Sequence, residues 1–155
     1  MVGEHRLRMD SAARLGVPAH ITVLFPFAAP DAIGDAELAR LGETFAAVPA
    51  FTHTLVETAW FDSDVLWLRS DAEATFRELT RRTSAAFGDY PPYDGQFDDV
   101  QPHLTVADRF PLADMRAAEQ DIRGALPITS KADAVTLLAE QESGRWEHAA
   151  TFPLG

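Results

Sequence analysis

The chain contains no cysteine among its 155 residues, so disulfide staples and thiolate metal ligands are excluded. That absence fits a cytoplasmic protein, which is the expected location. Cations are also scarce. Thirteen Lys and Arg stand against 24 Asp and Glu, the formal net charge is −11, and Lys131 is the only lysine. An extended nucleic-acid surface holds phosphates by neutralising many charges at once, and an acidic chain opposes that. A small anion in a locally basic cleft is still compatible with the balance. No apolar run approaches the roughly 20 residues of a membrane helix. The N-terminus also lacks the apolar stretch of a secretory signal, so no membrane partner is expected. What is present is 46% hydrophobic and 24% charged residues, the balance of a folded domain with a proper core. A single domain over residues 1–155, acting as a monomer, is the expectation.

Periodicity outlines an α+β arrangement. Glu4 to Leu15 reads as a helix that Gly16 ends before Val17-Pro18. His20 to Phe25 reads as a short strand, and Asp35 to Val48 as an amphipathic helix with Leu38, Leu41, Phe45 and Val48 on one side. Phe51 to Phe61 alternates like a strand, Asp62-Ser63-Asp64 turns, and Val65 to Arg69 returns as its partner. Ser70-Asp71-Ala72-Glu73 has the form of a capping box opening a helix to about Phe87. A turn-rich loop follows to Gln101, then a strand from about Pro102 to Ala107 and a helix from Pro111 to Leu126. Strands at Ala132 to Glu140 and Arg145 to Phe152 close the chain around Glu142-Ser143-Gly144. The order strand, helix, strand, hairpin strand thus occurs twice. It predicts duplicated β-α-β-β halves with pseudo-twofold symmetry and antiparallel sheets lining a central groove. The lobes are expected at about 16–69 and 100–155, joined by helix 70–87.

The two halves share one further feature. His20-Ile21-Thr22-Val23 and His103-Leu104-Thr105-Val106 repeat one pattern, each with a proline close in front, Pro18 and Pro102. In an extended strand, residues two apart project from the same face. Each copy would present an imidazole beside a hydroxyl and turn its aliphatics into a core. A single strand histidine is commonly structural, but core packing does not explain polar His and Thr on one face twice. Left unpaired in a dry interior they would cost on the order of 1–3 kcal/mol each. Facing each other across a groove, they suit a tetrahedral phosphate with an attacking and a leaving oxygen. One neutral imidazole would accept a proton, a protonated one would donate, and the threonines would hold the non-bridging oxygens. This scheme uses no metal and no cofactor. Spacing leaves open which histidine is base and which is acid.

These segments resemble the paired signatures of the two-histidine (2H) phosphoesterase superfamily, in its 2′-5′ RNA ligase-like branch. Val17-Pro18-Ala19-His20-Ile21-Thr22-Val23-Leu24-Phe25-Pro26-Phe27 is similar to the first motif. Tyr90-Pro91-Pro92-Tyr93 through Phe97-Asp98-Asp99-Val100 and on to Val106 is similar to the second. The resemblance implies a bilobal α+β fold and a metal-independent phosphodiesterase activity on 2′,3′-cyclic or 2′-linked phosphates of small nucleotides or RNA ends. His20, His103, Thr22 and Thr105 would be the catalytic residues. Relatives often carry arginine five residues after the second histidine, where this chain has Asp108, with Arg109 adjacent. They also begin with a strand before the first helix, so here either the sheet is one strand short or another element covers that edge. The alternatives are a non-catalytic nucleotide-phosphate-binding module and a 2′-5′ RNA end-joining ligase.

Secondary candidates for substrate contact are Arg109 and the aromatics Tyr90, Tyr93 and Phe97, which could stack on a base, although a loop packing its aromatics against the domain is the simpler reading. Arg69, Arg81, Arg82 and Arg145 could face an anion, although Arg81 and Arg82 read more simply as a solvated helix face. His53 and His148 read as structural, and His5 as exposed. No zinc spacing is present, and Asp98-Asp99 reads as an acidic loop.

Overall fold

A computed structural model describes residues 1–96 and 99–155. Five α-helices precede or separate six strands: α1 Val2–Met9, α2 Ser11–Arg14, α3 Asp35–Ala46, β1 Phe51–Phe61, β2 Val65–Ser70, α4 Glu73–Ala86, β3 Leu104–Asp108, α5 Leu112–Arg123, β4 Ile128–Ala132, β5 Ala134–Glu140 and β6 Trp146–Pro153. The fold is α+β. One antiparallel sheet has the order β3-β2-β1-β4, and β5 and β6 form a second, two-stranded sheet. Strands from both sides of α4 therefore share the larger sheet. Among the described residues no helix is long and apolar enough to cross a membrane.

The best-defined piece is the β1-β2 hairpin, whose strand begins and ends where the alternation does. Asp62 takes the left-handed conformation (φ 50°) that its short polar side chain tolerates in a tight turn. Helix α3 opens with the Gly34 N–H donating to Glu37 Oε2 at 2.9 Å, half of a capping box. Helix α5 buries Met115, Ala118 and Ile122 on one side, as its 3–4 spacing requires.

Two apolar clusters result. One gathers Met9, Leu55, Leu66, Leu68, Leu104, Val106, Met115 and Ile122 between the large sheet, α1 and α5. The other gathers Leu41, Phe45, Phe76, Leu79, Phe87 and Phe152 between α3, α4 and β6. Helix α1 packs across β3, so the outer strand that lacks a sheet neighbour is covered by a helix.

Several local expectations change. The first helix breaks at Asp10, whose extended backbone (φ −127°, ψ 115°) lets its side chain cap α2 by accepting from the Ala12 N–H at 2.9 Å. Ser70 does not cap α4. It is still paired in β2, fully buried, where its hydroxyl accepts from the Ala72 N–H and contacts the His53 ring. The closing segment holds three strands where two were expected, since β4 occupies Ile128–Ala132 and β5 starts at Ala134 after Asp133. His5 is half-buried beside Asp121, 3.6 Å away, instead of exposed. The largest difference concerns residues 17–29, where no strand ladder forms. The Val23 and Phe25 carbonyls accept instead from the Thr80 hydroxyl (2.7 Å) and the Tyr93 N–H (2.6 Å).

Candidate active site

Each motif histidine is fixed by the same local device. The Nδ1 of His20 donates to the Pro18 carbonyl at 2.8 Å, and the Nδ1 of His103 donates to the Gln101 carbonyl at 2.7 Å. In both cases the acceptor lies two residues upstream. A carbonyl can only accept, so the proton of the neutral ring sits on Nδ1 and Nε2 is left as the basic nitrogen. At His20 the Thr22 hydroxyl donates to that Nε2 at 3.0 Å. Among the described residues, the Nε2 of His103 has no hydrogen-bond partner.

The supports differ. Leu104 and Val106 bury themselves behind His103 and Thr105, while Ile21 and Val23 pack behind His20 and Thr22. Thr105 stands opposite Trp67 in the β2-β3 ladder, and a bulge directly after it places both Val106 and Ala107 in the core. An extra residue of this kind breaks the alternation that held up to the motif. The His103 ring rests edge-on against Phe61 (4.9 Å between centroids) and Trp67 (5.9 Å), which are themselves stacked. His20 is exposed, and the protein beside its ring still disfavours the charged form.

Burial lowers the pKa of both imidazoles from the ordinary value, because the low-polarity surroundings disfavour the cation. At His103 the carbonyl of Gln101 works against that effect. At His20 the Pro18 carbonyl and Asp10 favour the charged form, whereas Arg6 and His103 oppose it. His103 thus acts on His20 only weakly, behind burial, the Pro18 carbonyl, Arg6 and Asp10. Among the described residues, no three or more His, Asp or Glu gather as metal donors.

A model of the 2′-5′ RNA ligase superfamily matches residues 2–144, nearly the whole chain and both motifs. The chain belongs to the 2′-5′ RNA ligase superfamily. That grouping is the 2H phosphoesterase superfamily, so the fold and the doubled motif point the same way. No individually curated protein matches the chain.

The secondary candidates are scattered in this 2H phosphoesterase chain. Tyr93 stands beside the first motif, hydrogen-bonded to Thr22 and edge-on to Phe25 at 6.5 Å; burial raises its phenol pKa. Tyr90 packs against Phe27 at 5.2 Å, in the second apolar cluster. Phe97 and Asp98 lie outside the described residues. Arg109 sits past the far end of β3 from His103, exposed and left-handed (φ 50°), with Nε 3.8 Å from Asp108. Arg69 pairs with Glu57 and Glu73, and Arg81 and Arg82 with Glu78. Asp99 pairs with Arg77, Arg145 is exposed before β6, and His148 is exposed and bonded to Thr151 at 2.7 Å. His53 is buried on Phe76.

Residues that the sequence did not single out also frame the site. Phe61 and Trp67 floor the second motif, and Trp146 lies 6.2 Å from the exposed Phe25 beside the first. Arg6 in α1 and Asp10 just after it act on the charge of His20. Only their four-residue spacing hinted at a pair, and such pairs are usually surface features.

Proposed function

We propose that the protein is a metal-independent phosphoesterase that opens a 2′,3′-cyclic phosphate, or cuts a 2′-linked phosphodiester, on a small nucleotide or an RNA end. His20 and His103 act as the acid/base pair, and Thr22 and Thr105 bind the non-bridging oxygens. The observation that carries this reading is the shared Nδ1-to-carbonyl bond, which leaves a basic Nε2 on each motif.

In this reading His20 is the base and His103 the acid; the Thr22 hydroxyl already bonds the His20 Nε2 that would take the proton. On substrate binding the Thr22 hydroxyl turns from the ring to the phosphate. The freed Nε2 takes a proton from the attacking water, the new P–O bond forms, and the ester P–O bond breaks. His103, protonated, gives its proton to the departing ribose oxygen. The pairing of the helix arginines with carboxylates favours a short or terminal substrate over long RNA.

Incubation with 2′,3′-cyclic nucleotides and a cyclic-ended oligoribonucleotide tests the proposal. Turnover is expected with and without EDTA. Binding without turnover would instead support a phosphate-binding module, and loss on chelation would reject the metal-free scheme. The pH dependence follows from the histidines. Because both are pushed below the usual imidazole value of about 6.5, kcat/KM should form a bell centred on the acid side of it. It should already be falling below neutral pH as His103 loses its proton. A profile that rises steadily to pH 8 would contradict the assignment.

A further inference from the structure

We propose that the buried Arg6–Asp10 pair of α1 is a positioning device for His20, holding the backbone that precedes it. The inference rests on the catalytic reading of His20 and adds two residues to it. Arg6 and Asp10 are 2% and 4% exposed. Burying an ion pair costs desolvation that its own attraction rarely exceeds by much, and apolar replacements are often as stable. A pair kept at such a place calls for a second effect.

The connections supply one. Asp10 Oδ2 accepts from Arg6 Nη2 at 2.7 Å, while its Oδ1 caps α2. The end of α2 takes the Val17 N–H on the Ala12 carbonyl at 3.0 Å. Arg6 Nη1 then donates to the Val17 carbonyl at 3.2 Å. Both backbone groups of Val17 are thereby gripped, and the next carbonyl, that of Pro18, is the one that orients the His20 ring. This matters because residues 17–29 have no ladder to fix them. Sheet register positions the second motif, whereas side-chain clamps position the first. The Arg6 Nε is buried and has no hydrogen-bond partner among the described residues. The charged and titratable groups that face His20 are Arg6 and Asp10 from α1 and His103 from the approach to β3, with the Tyr93 phenol behind Thr22.

The test uses Arg6→Lys, Arg6→Met, Asp10→Asn and the double variant Arg6→Met/Asp10→Asn. Asparagine keeps the cap on α2, and the double variant leaves no buried charge unmatched. The His20 imidazole is followed by NMR titration, assigned with His20→Ala, alongside thermal unfolding and turnover of a 2′,3′-cyclic nucleotide. Removing the cation should raise the His20 midpoint, and removing the anion should lower it. Arg6→Lys should leave the midpoint near wild type yet reduce kcat, because an ammonium lacks the planar fork that spans two acceptors. The double variant should unfold near the wild-type temperature while kcat stays down on the order of 100-fold, as displacement of a catalytic group by about 1 Å produces. A merely structural pair gives the opposite results: full kcat in the double variant, or single variants that leave the midpoint in place or move it in one direction. Should Arg6→Met alone not fold, the lysine and double variants carry the test. Should the wild type turn over no cyclic nucleotide, the function proposal fails, and the titration still decides the placement of His20.

Discussion

Replacing His20 or His103 with alanine is expected to lower turnover of a 2′,3′-cyclic nucleotide by about 10²–10⁴-fold in each case, the usual worth of a positioned proton-transfer group. The double variant should lose little more than the worse single one, because a base and an acid serving one displacement act as a unit. The two substitutions differ in their structural cost. His20 is exposed and bonded to its own segment, so its removal should leave the unfolding temperature unchanged. His103 packs on Phe61 and Trp67, so His103→Ala should also lose some stability, and His103→Gln serves as the better-filled control. Steady-state kinetics and thermal unfolding on the same preparations separate the two effects. An alanine variant at either position that turns over like the wild type ends the paired mechanism.

The largest stability effect is expected at Leu68. Its side chain is fully buried, and it pairs across β2 with Thr58 on one side and Leu104 on the other. Leu68→Ala removes apolar contact and leaves a hole between the sheet and α5, which costs about 2–5 kcal/mol depending on how far the site collapses. Urea unfolding measures it as a lower midpoint with an unchanged slope. Leu112→Ala is the comparison: that leucine is 48% exposed, and a surface change of this kind stays within about 0.5 kcal/mol. Equal losses at the two positions would contradict the core described above. Leu104 also follows His103 directly, so Leu68→Ala should weaken turnover as well, whereas Leu112→Ala should not.

The sequence was most legible where a local pattern and its tertiary use coincide. Strand β1 has the bounds that the pattern gave it, Phe51 to Phe61, with a bulge after Leu55, and α5 buries the residues its spacing selects. The strand of the second motif was legible for the same reason, since Leu104 and Val106 both turn into the core there. What was hidden depended on distant partners. Nothing in His20 to Phe25 reveals that its carbonyls go to Thr80 and Tyr93 instead of to a neighbouring strand. The Ser70 hydroxyl looked like a helix cap because its burial beside His53 is a tertiary fact. A strand as short as β4 has too few residues to display a period, and its pairing with β1 is what defines it. The burial of Arg6 and Asp10 was equally hidden, because four-residue spacing does not say which side of a helix is covered.

Ile21, the residue between His20 and Thr22, packs against both apolar clusters, and one of those clusters contains Leu104, the residue after His103. No described bond joins the two imidazoles. Ile21 therefore ties the segment of the first motif to the hydrocarbon that backs the second, so that a change in its volume is felt in both clusters without touching any polar atom.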